Sequence, residues 1–160
     1  MNPDWDDFFR KIQGYPAEVN EFLPPCSTER IEQVEKALGK MPSGLVDMLS
    51  HFNGAKLFQR CGPMLNIFGI TPISPLHPME WAEGWNIDKF TPKWRAAKEG
   101  RETNWAIGIT NYGGVIILDQ DGTVREWDTA QTMWDPKTWD FAGWIDYILA
   151  EGEEFMNEPP

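Results

Sequence analysis

Cysteine and histidine are scarce in this chain of 160 residues, with two of each. Cys26 and Cys61 stand far apart and neither belongs to a C-x-x-C pair, while His51 and His77 supply no close ligand pair. A disulfide framework, a structural metal centre and any other cofactor are therefore not expected. Long apolar runs are missing as well: nothing approaches the ~20 residues that a membrane span requires. The opening Met1-Asn2-Pro3-Asp4-Trp5 lacks the basic and apolar regions of a signal peptide. The expectation is a cytoplasmic protein with reduced thiols and no membrane partner.

Positive charge is also in short supply. Lys and Arg number 14 against 25 Asp and Glu, a net charge of -11. From Asp119 to Pro160 eleven acidic residues face only Arg125 and Lys137, so this stretch carries -9 of the total. Such a field repels nucleic-acid phosphates and anionic lipids and attracts basic proteins.

What is abundant is tryptophan, with nine residues in the chain. The apolar residues fall into periodic stripes. Trp5, Phe8, Phe9 and Ile12 predict a first helix, with Asn2 as its cap, Pro3 at the first helical position and Gly14 as its stop. Ser27 or Thr28 caps a second helix with Ile31, Val34 and Leu38 inward, closed by Gly39. Ser43 opens a third with Leu45, Met48, Leu49 and Phe52, ended at Asn53-Gly54 because both tolerate positive φ. Short extended pieces follow at Lys56–Gln59 and Leu65–Phe68, then a proline-rich loop over Thr71–Pro78. A short helix is expected from Pro78 to Trp85 and a further helical turn or two within Thr91–Arg101. Trp105–Thr110, Val115–Leu118 and Thr123–Trp127 read as strands joined by the turns Asn111-Tyr112-Gly113-Gly114 and Asp119-Gln120-Asp121-Gly122. A last helix is expected from Thr138 to Ala150, with Phe141, Trp144, Ile145, Ile148 and Leu149 on one face, before an acidic, frayed tail over 151–160. Helices, then antiparallel strands, then a helix make an α+β fold: a mainly antiparallel sheet with N-terminal and C-terminal helices packed on it.

Reactive constellations fare poorly. Asp119 and Asp121 could pair as acid and base or begin a calcium loop, but that loop needs an oxygen ligand of the acidic or amide kind at Thr123 and a Glu where Ala130 stands. The hairpin-turn reading is preferred. Cys61 and His77 form the one nucleophile–base pair worth naming, and both lie in loop-like sequence. Lys89, Lys93, Arg95, Lys98 and Arg101 surround Trp94, a pattern able to track a nucleic-acid backbone. In so acidic a chain a solvated helix or a partner for the chain's own acidic face is favoured, and no nucleic-acid partner is expected. The chain is not expected to be an enzyme.

Ile31-x-x-Val34-Glu35-x-x-Leu38-Gly39-x-Met41-Pro42, followed by Leu45, Leu49 and Asn53-Gly54, resembles the N-terminal signature of the SUKH superfamily. The later block fits as well: Ala106-Ile107-Gly108 before Gly113-Gly114, then Ile116-Ile117-Leu118-Asp119, Gly122-x-Val124-x-x-Trp127-Asp128 and Phe141-x-x-Trp144-Ile145. Met41-Pro42 stands where the superfamily usually has Leu-Pro, and Cys61–Arg101 matches less well. The resemblance implies one SUKH-like domain over 1–160, with its core at 27–149 and a helix and linker at 1–26. It also implies a non-enzymatic role: the superfamily includes the fungal cell-wall-assembly regulator and bacterial immunity proteins that neutralise toxin domains, often nucleases.

Aromatic rings beside acids suit a basic partner, because rings supply desolvated contact and charges supply steering. The expected partner-binding residues are Glu80, Trp81, Glu83, Asp121, Glu126, Asp128, Trp134 and Asp135. The expected partner is a cognate, basic protein toxin, with the chain itself a monomer or weak homodimer. The competing expectation is a scaffold or regulatory protein-interaction domain.

Overall fold

The computed structural model describes residues 1–71, 86–97 and 103–159. The first helix, α1, spans Trp5–Ile12 and buries Trp5, Phe8 and Ile12. Its cap is Asp4, not Asn2: the Asp4 carboxylate accepts from the Asp7 N–H at 3.0 Å. A carboxylate there also meets the positive end of the helix dipole, and the Asn2 amide is instead engaged with Ser43 Oγ at 3.3 Å. Helix α2 spans Thr28–Leu38, capped by Ser27, and ends at Gly39 with φ of 103°. Helix α3 spans Ser43–His51 and buries Leu45, Met48 and Leu49.

After α3, Gly54 alone turns the chain through positive φ (98°). Asn53 ends the helix differently from the expectation. Its buried amide clamps Ile70, accepting from the Ile70 N–H at 2.7 Å and donating to the Ile70 carbonyl at 2.8 Å. Gly69 is what allows this approach, since a Cβ there would lie 2.1 Å from the Asn53 carbonyl oxygen.

The strands are β1 (Glu21–Phe22), β2 (Ala55–Gln59), β3 (Pro63–Ile67), β4 (Trp105–Thr110), β5 (Val115–Leu118), β6 (Thr123–Asp128), β7 (Met133–Trp134) and β8 (Trp139–Asp140). They form one antiparallel sheet in the order β1-β2-β3-β4-β5-β6-β7, with β8 also paired to β6. Strand β7 takes the Trp127–Asp128 end of β6 and β8 takes the Thr123–Val124 end. Between β3 and β4 lies helix α4 (Ile87–Ala97), which starts earlier than Thr91 and carries Pro92 inside it. The end of the β3 segment is tied to the start of α4: the Gly69 carbonyl accepts from the Ile87 N–H at 2.8 Å, and Asp88 accepts from the Thr71 N–H at 2.9 Å. The helix expected over Pro78–Trp85 lies outside the described residues.

The last helix, α5, spans Phe141–Asn157 under an Asp140 cap. It runs well beyond Ala150, so the segment expected to fray is helical to Asn157. The reason lies in packing: Phe155 and Met156 rest against the core, and the Phe155 carbonyl accepts from Arg60 Nη1 at 2.8 Å. The core joins α1, α3 and α5 through Trp5, whose ring centroid lies 5.2 Å from that of Phe52 and 6.0 Å from that of Phe141. The central strand β5 is buried at every position.

Candidate docking surface

Two turns at one end of the sheet build the surface. In the β4–β5 turn, Gly113 has φ of 87° and Thr110 Oγ1 accepts from the Gly114 N–H at 2.8 Å. In the β6–β7 turn, the Asp128 carboxylate accepts from the Ala130 and Gln131 N–H groups at 2.9 and 3.0 Å. The Thr129 hydroxyl then donates to the Gly113 carbonyl at 2.9 Å, stitching the turns together.

This stitching sets Tyr112 over Glu126. The Tyr112 hydroxyl lies 3.0 and 2.8 Å from the two Glu126 oxygens and donates to that carboxylate. Gly114 leaves room for it, because a Cβ there would lie 2.9 Å from Glu126 Cδ. The Asp135 N–H donates to the Glu126 carbonyl at 2.9 Å, which brings Asp135 alongside. Beyond it, Trp139 and Tyr147 stack with centroids 4.8 Å apart, and Lys137 Nζ sits 5.4 and 4.9 Å from those two rings.

Burial raises the Glu126 pKa; the Tyr112 hydrogen bond partly offsets this, and the Asp135 and Asp128 charges add to it. The Tyr112 phenol is pushed well above its ordinary range by burial and then by the adjoining Glu126. Tyr147 is raised by burial and by the field of Glu151, Glu126, Asp135 and Glu154. The site is a half-buried carboxylate in a negative field, walled by aromatics and edged by two exposed apolar residues, Tyr112 at 66% and Met133 at 50%. It is equipped to hold a cation through charge and ring faces.

Of the residues singled out in the sequence, Glu126, Asp128 and Asp135 come together here. Asp121 does not: it lies in the β5–β6 turn at the other end of β6, where its carboxylate accepts from the Thr123 N–H at 2.9 Å. Trp134 is also apart. It pairs with Trp127 across β6–β7, and alternation along a strand points that pair to the face opposite Glu126. There its ring lies 5.1 Å from Trp127 and 5.7 Å from Trp94, beneath the Arg125 guanidinium at 3.9 Å. Glu80, Trp81 and Glu83 lie outside the described residues. Sequence reasoning passed over Tyr112, Met133, Lys137 and Tyr147. One signal was available: a bulky aromatic between turn formers, as in Asn111-Tyr112-Gly113-Gly114, needs a reason to be there.

The other candidates resolve by geometry. Asp119 pairs with Arg125 at 2.9 Å, and Gly122 turns the hairpin with φ of 88°. Trp94 is 6% exposed and so is withdrawn from any nucleic-acid strand. Arg95 reaches the Leu38 and Asn104 carbonyls at 2.7 and 2.9 Å. Lys98, Arg101 and His77 lie outside the described residues. Cys26 and Cys61 are both free, and burial raises the Cys26 thiol. Among the described residues no group of three or more His, Cys, Asp or Glu could hold a metal ion. A separate groove of about 370 Å³ between α1 and β1 is lined mostly by Phe9, Ile12, Tyr15, Pro16 and Phe22 and gathers no reactive pair.

Residues 25–150, from just before α2 into α5, match the model of the SMI1 / KNR4 family (SUKH-1). The chain belongs to that family. The SUKH-1 match takes in β2 to β8 and the whole Tyr112–Glu126–Tyr147 surface, and leaves α1 and β1 outside it. Comparison with curated proteins finds no match to the chain. No described helix is long and apolar enough to cross a membrane.

Proposed function

We propose that this SUKH-1 protein is an immunity protein, which binds a cognate basic toxin domain and neutralises it by occlusion rather than by catalysis. The observation that carries the reading is the gathering of Glu126, Asp128 and Asp135 beside exposed Tyr112 and Met133. Carboxylates around an apolar contact give both steering and a desolvated anchor for a cationic surface. Family membership supports the same reading, since bacterial members of the superfamily commonly neutralise toxin domains, often nucleases. Glu80, Trp81, Glu83, Asp121 and Trp134 remain proposed contributors to the same partner's footprint. The cytoplasm, where such a toxin acts, is the proposed location, with the protein monomeric or weakly dimeric.

The test is co-expression with the toxin-like protein encoded beside its gene, together with binding of the purified pair. Cells are expected to survive with this chain and die without it. The double substitution Asp128→Lys/Asp135→Lys is expected to slow association by about ten-fold or more at low salt. Equal killing with and without the chain rejects the reading. A regulatory scaffold, the role of the fungal relative, predicts instead a stable complex with a partner that is not toxic alone.

A further inference from the structure

We infer that Glu126 is the seat for one arginine side chain of the partner, which enters between Tyr112 and the Trp139–Tyr147 stack and displaces Lys137. The inference rests on the docking reading above and adds to it a definite anchor and a definite chemistry.

Three observations carry it. First, Glu126 is a half-buried carboxylate whose side-chain hydrogen-bond partner among the described residues is neutral, the Tyr112 hydroxyl. A carboxylate has about four acceptor positions and one phenol fills only part of them. Partly buried carboxylates are ordinarily compensated by a cation, and Asp119 has its own in Arg125 on the other face of β6. Secondly, the neighbouring rings already carry a cation from the chain itself, the Lys137 ammonium. Lys137 is exposed and its long side chain is free to swing away. Its position marks where a positive group is stabilised, and it acts as a resident placeholder. Thirdly, among the described residues the surroundings are unbalanced: Asp128 and Asp135 act on Glu126, and Glu151 and Glu154 act on Tyr147, while Lys137 is the cation found at the rings.

Arginine fits better than lysine. Its planar guanidinium can lie on an aromatic face while donating two parallel hydrogen bonds to one carboxylate. Tyr112, 66% exposed, and the Trp139–Tyr147 pair provide such faces.

The experiment is a titration of the ¹⁵N-labelled protein with N-acetyl-arginine methylamide, run in parallel with the lysine analogue. Amide shifts are expected at Tyr112, Glu126, Lys137 and Tyr147, larger and at lower concentration for the arginine probe. Glu126→Gln, shown to be folded by the same spectrum, should weaken that binding about ten-fold. Lys137→Gln should strengthen it by about two- to three-fold. Shifts of equal size in Glu126→Gln, or shifts spread evenly over the acidic surface, overturn the seat. Full-partner binding separates this failure from that of the docking reading. If Asp128→Lys/Asp135→Lys loses the partner but Glu126→Gln does not, the seat falls and the surface stands; if neither loses it, both fall.

Discussion

Glu126 and Tyr112 give residue-scale consequences that can be read by titration. A phenol whose pKa rises on folding contributes stability that is present below its unfolded value and is lost as pH climbs through the folded value. All three tyrosines, Tyr15, Tyr112 and Tyr147, are raised from 10.0, each with burial as the main cause. Absorbance at ~295 nm should therefore show less phenolate in the native protein at pH ~10 than in the unfolded chain, where tyrosine is about half ionised; equal ionisation in the two states would contradict the arrangement. Glu126 obeys the same sign rule at lower pH. Its raised pKa means that the ionised form is disfavoured by the fold above the ordinary carboxylate range. Glu126→Gln should thus gain in Tm relative to the parent at pH 7 and not at pH 4, while binding is weakened. A variant that loses Tm equally at both values would place no cost on the native carboxylate. Gly152 tests packing in the same way. A Cβ there would lie 2.2 Å from the Phe58 ring, so Gly152→Ala should cost about 1–3 kcal/mol by urea unfolding.

Among the elements, α5 is the most instructive. Its last turn has no basic residue, and Glu151, Glu153 and Glu154 sit near the negative end of the helix dipole, where they are unfavourable. Tertiary contacts therefore hold it: Phe155, Met156 and the Arg60 hydrogen bond to the Phe155 carbonyl. Arg60→Met should speed amide exchange over 151–157 by about ten-fold or more while core amides stay protected; unchanged exchange would show that the apolar contacts suffice. This is also why the helix end was not legible in the sequence, where Glu151-Gly152-Glu153-Glu154 reads as a polar stop. The stripes of α1, α2 and α3 were legible because each buries one face at helical spacing. The β4–β6 run was legible because its turns carry Gly113, Gly114 and Gly122. Strands β1, β7 and β8 were not, because two residues show no alternation. The start of α4 at Ile87, before the expected Thr91, was not legible because Pro92, which usually marks a first helical turn, here lies inside the helix. At the surface, the acids were legible as charge, whereas the face to which Trp134 points was not, because the pairing of β6 with β7 fixes it.

At the scale of the whole molecule, the charge of -11 is a cost to compactness as well as an aid to steering. Raising NaCl from about 10 mM to about 200 mM should raise the Tm as self-repulsion is screened, and should slow association with a basic partner. A partner whose on-rate ignores salt would argue against charge-led docking. The borders of the sheet have a separate effect. At one margin stands β1, only two residues long, and at the other β6 is covered in part by β7 and in part by β8. A second molecule in search of backbone to zipper onto meets, at either border, strands of only two residues. Borders this short, among the described residues, should let the protein be held at high concentration without edge-to-edge growth into fibrils.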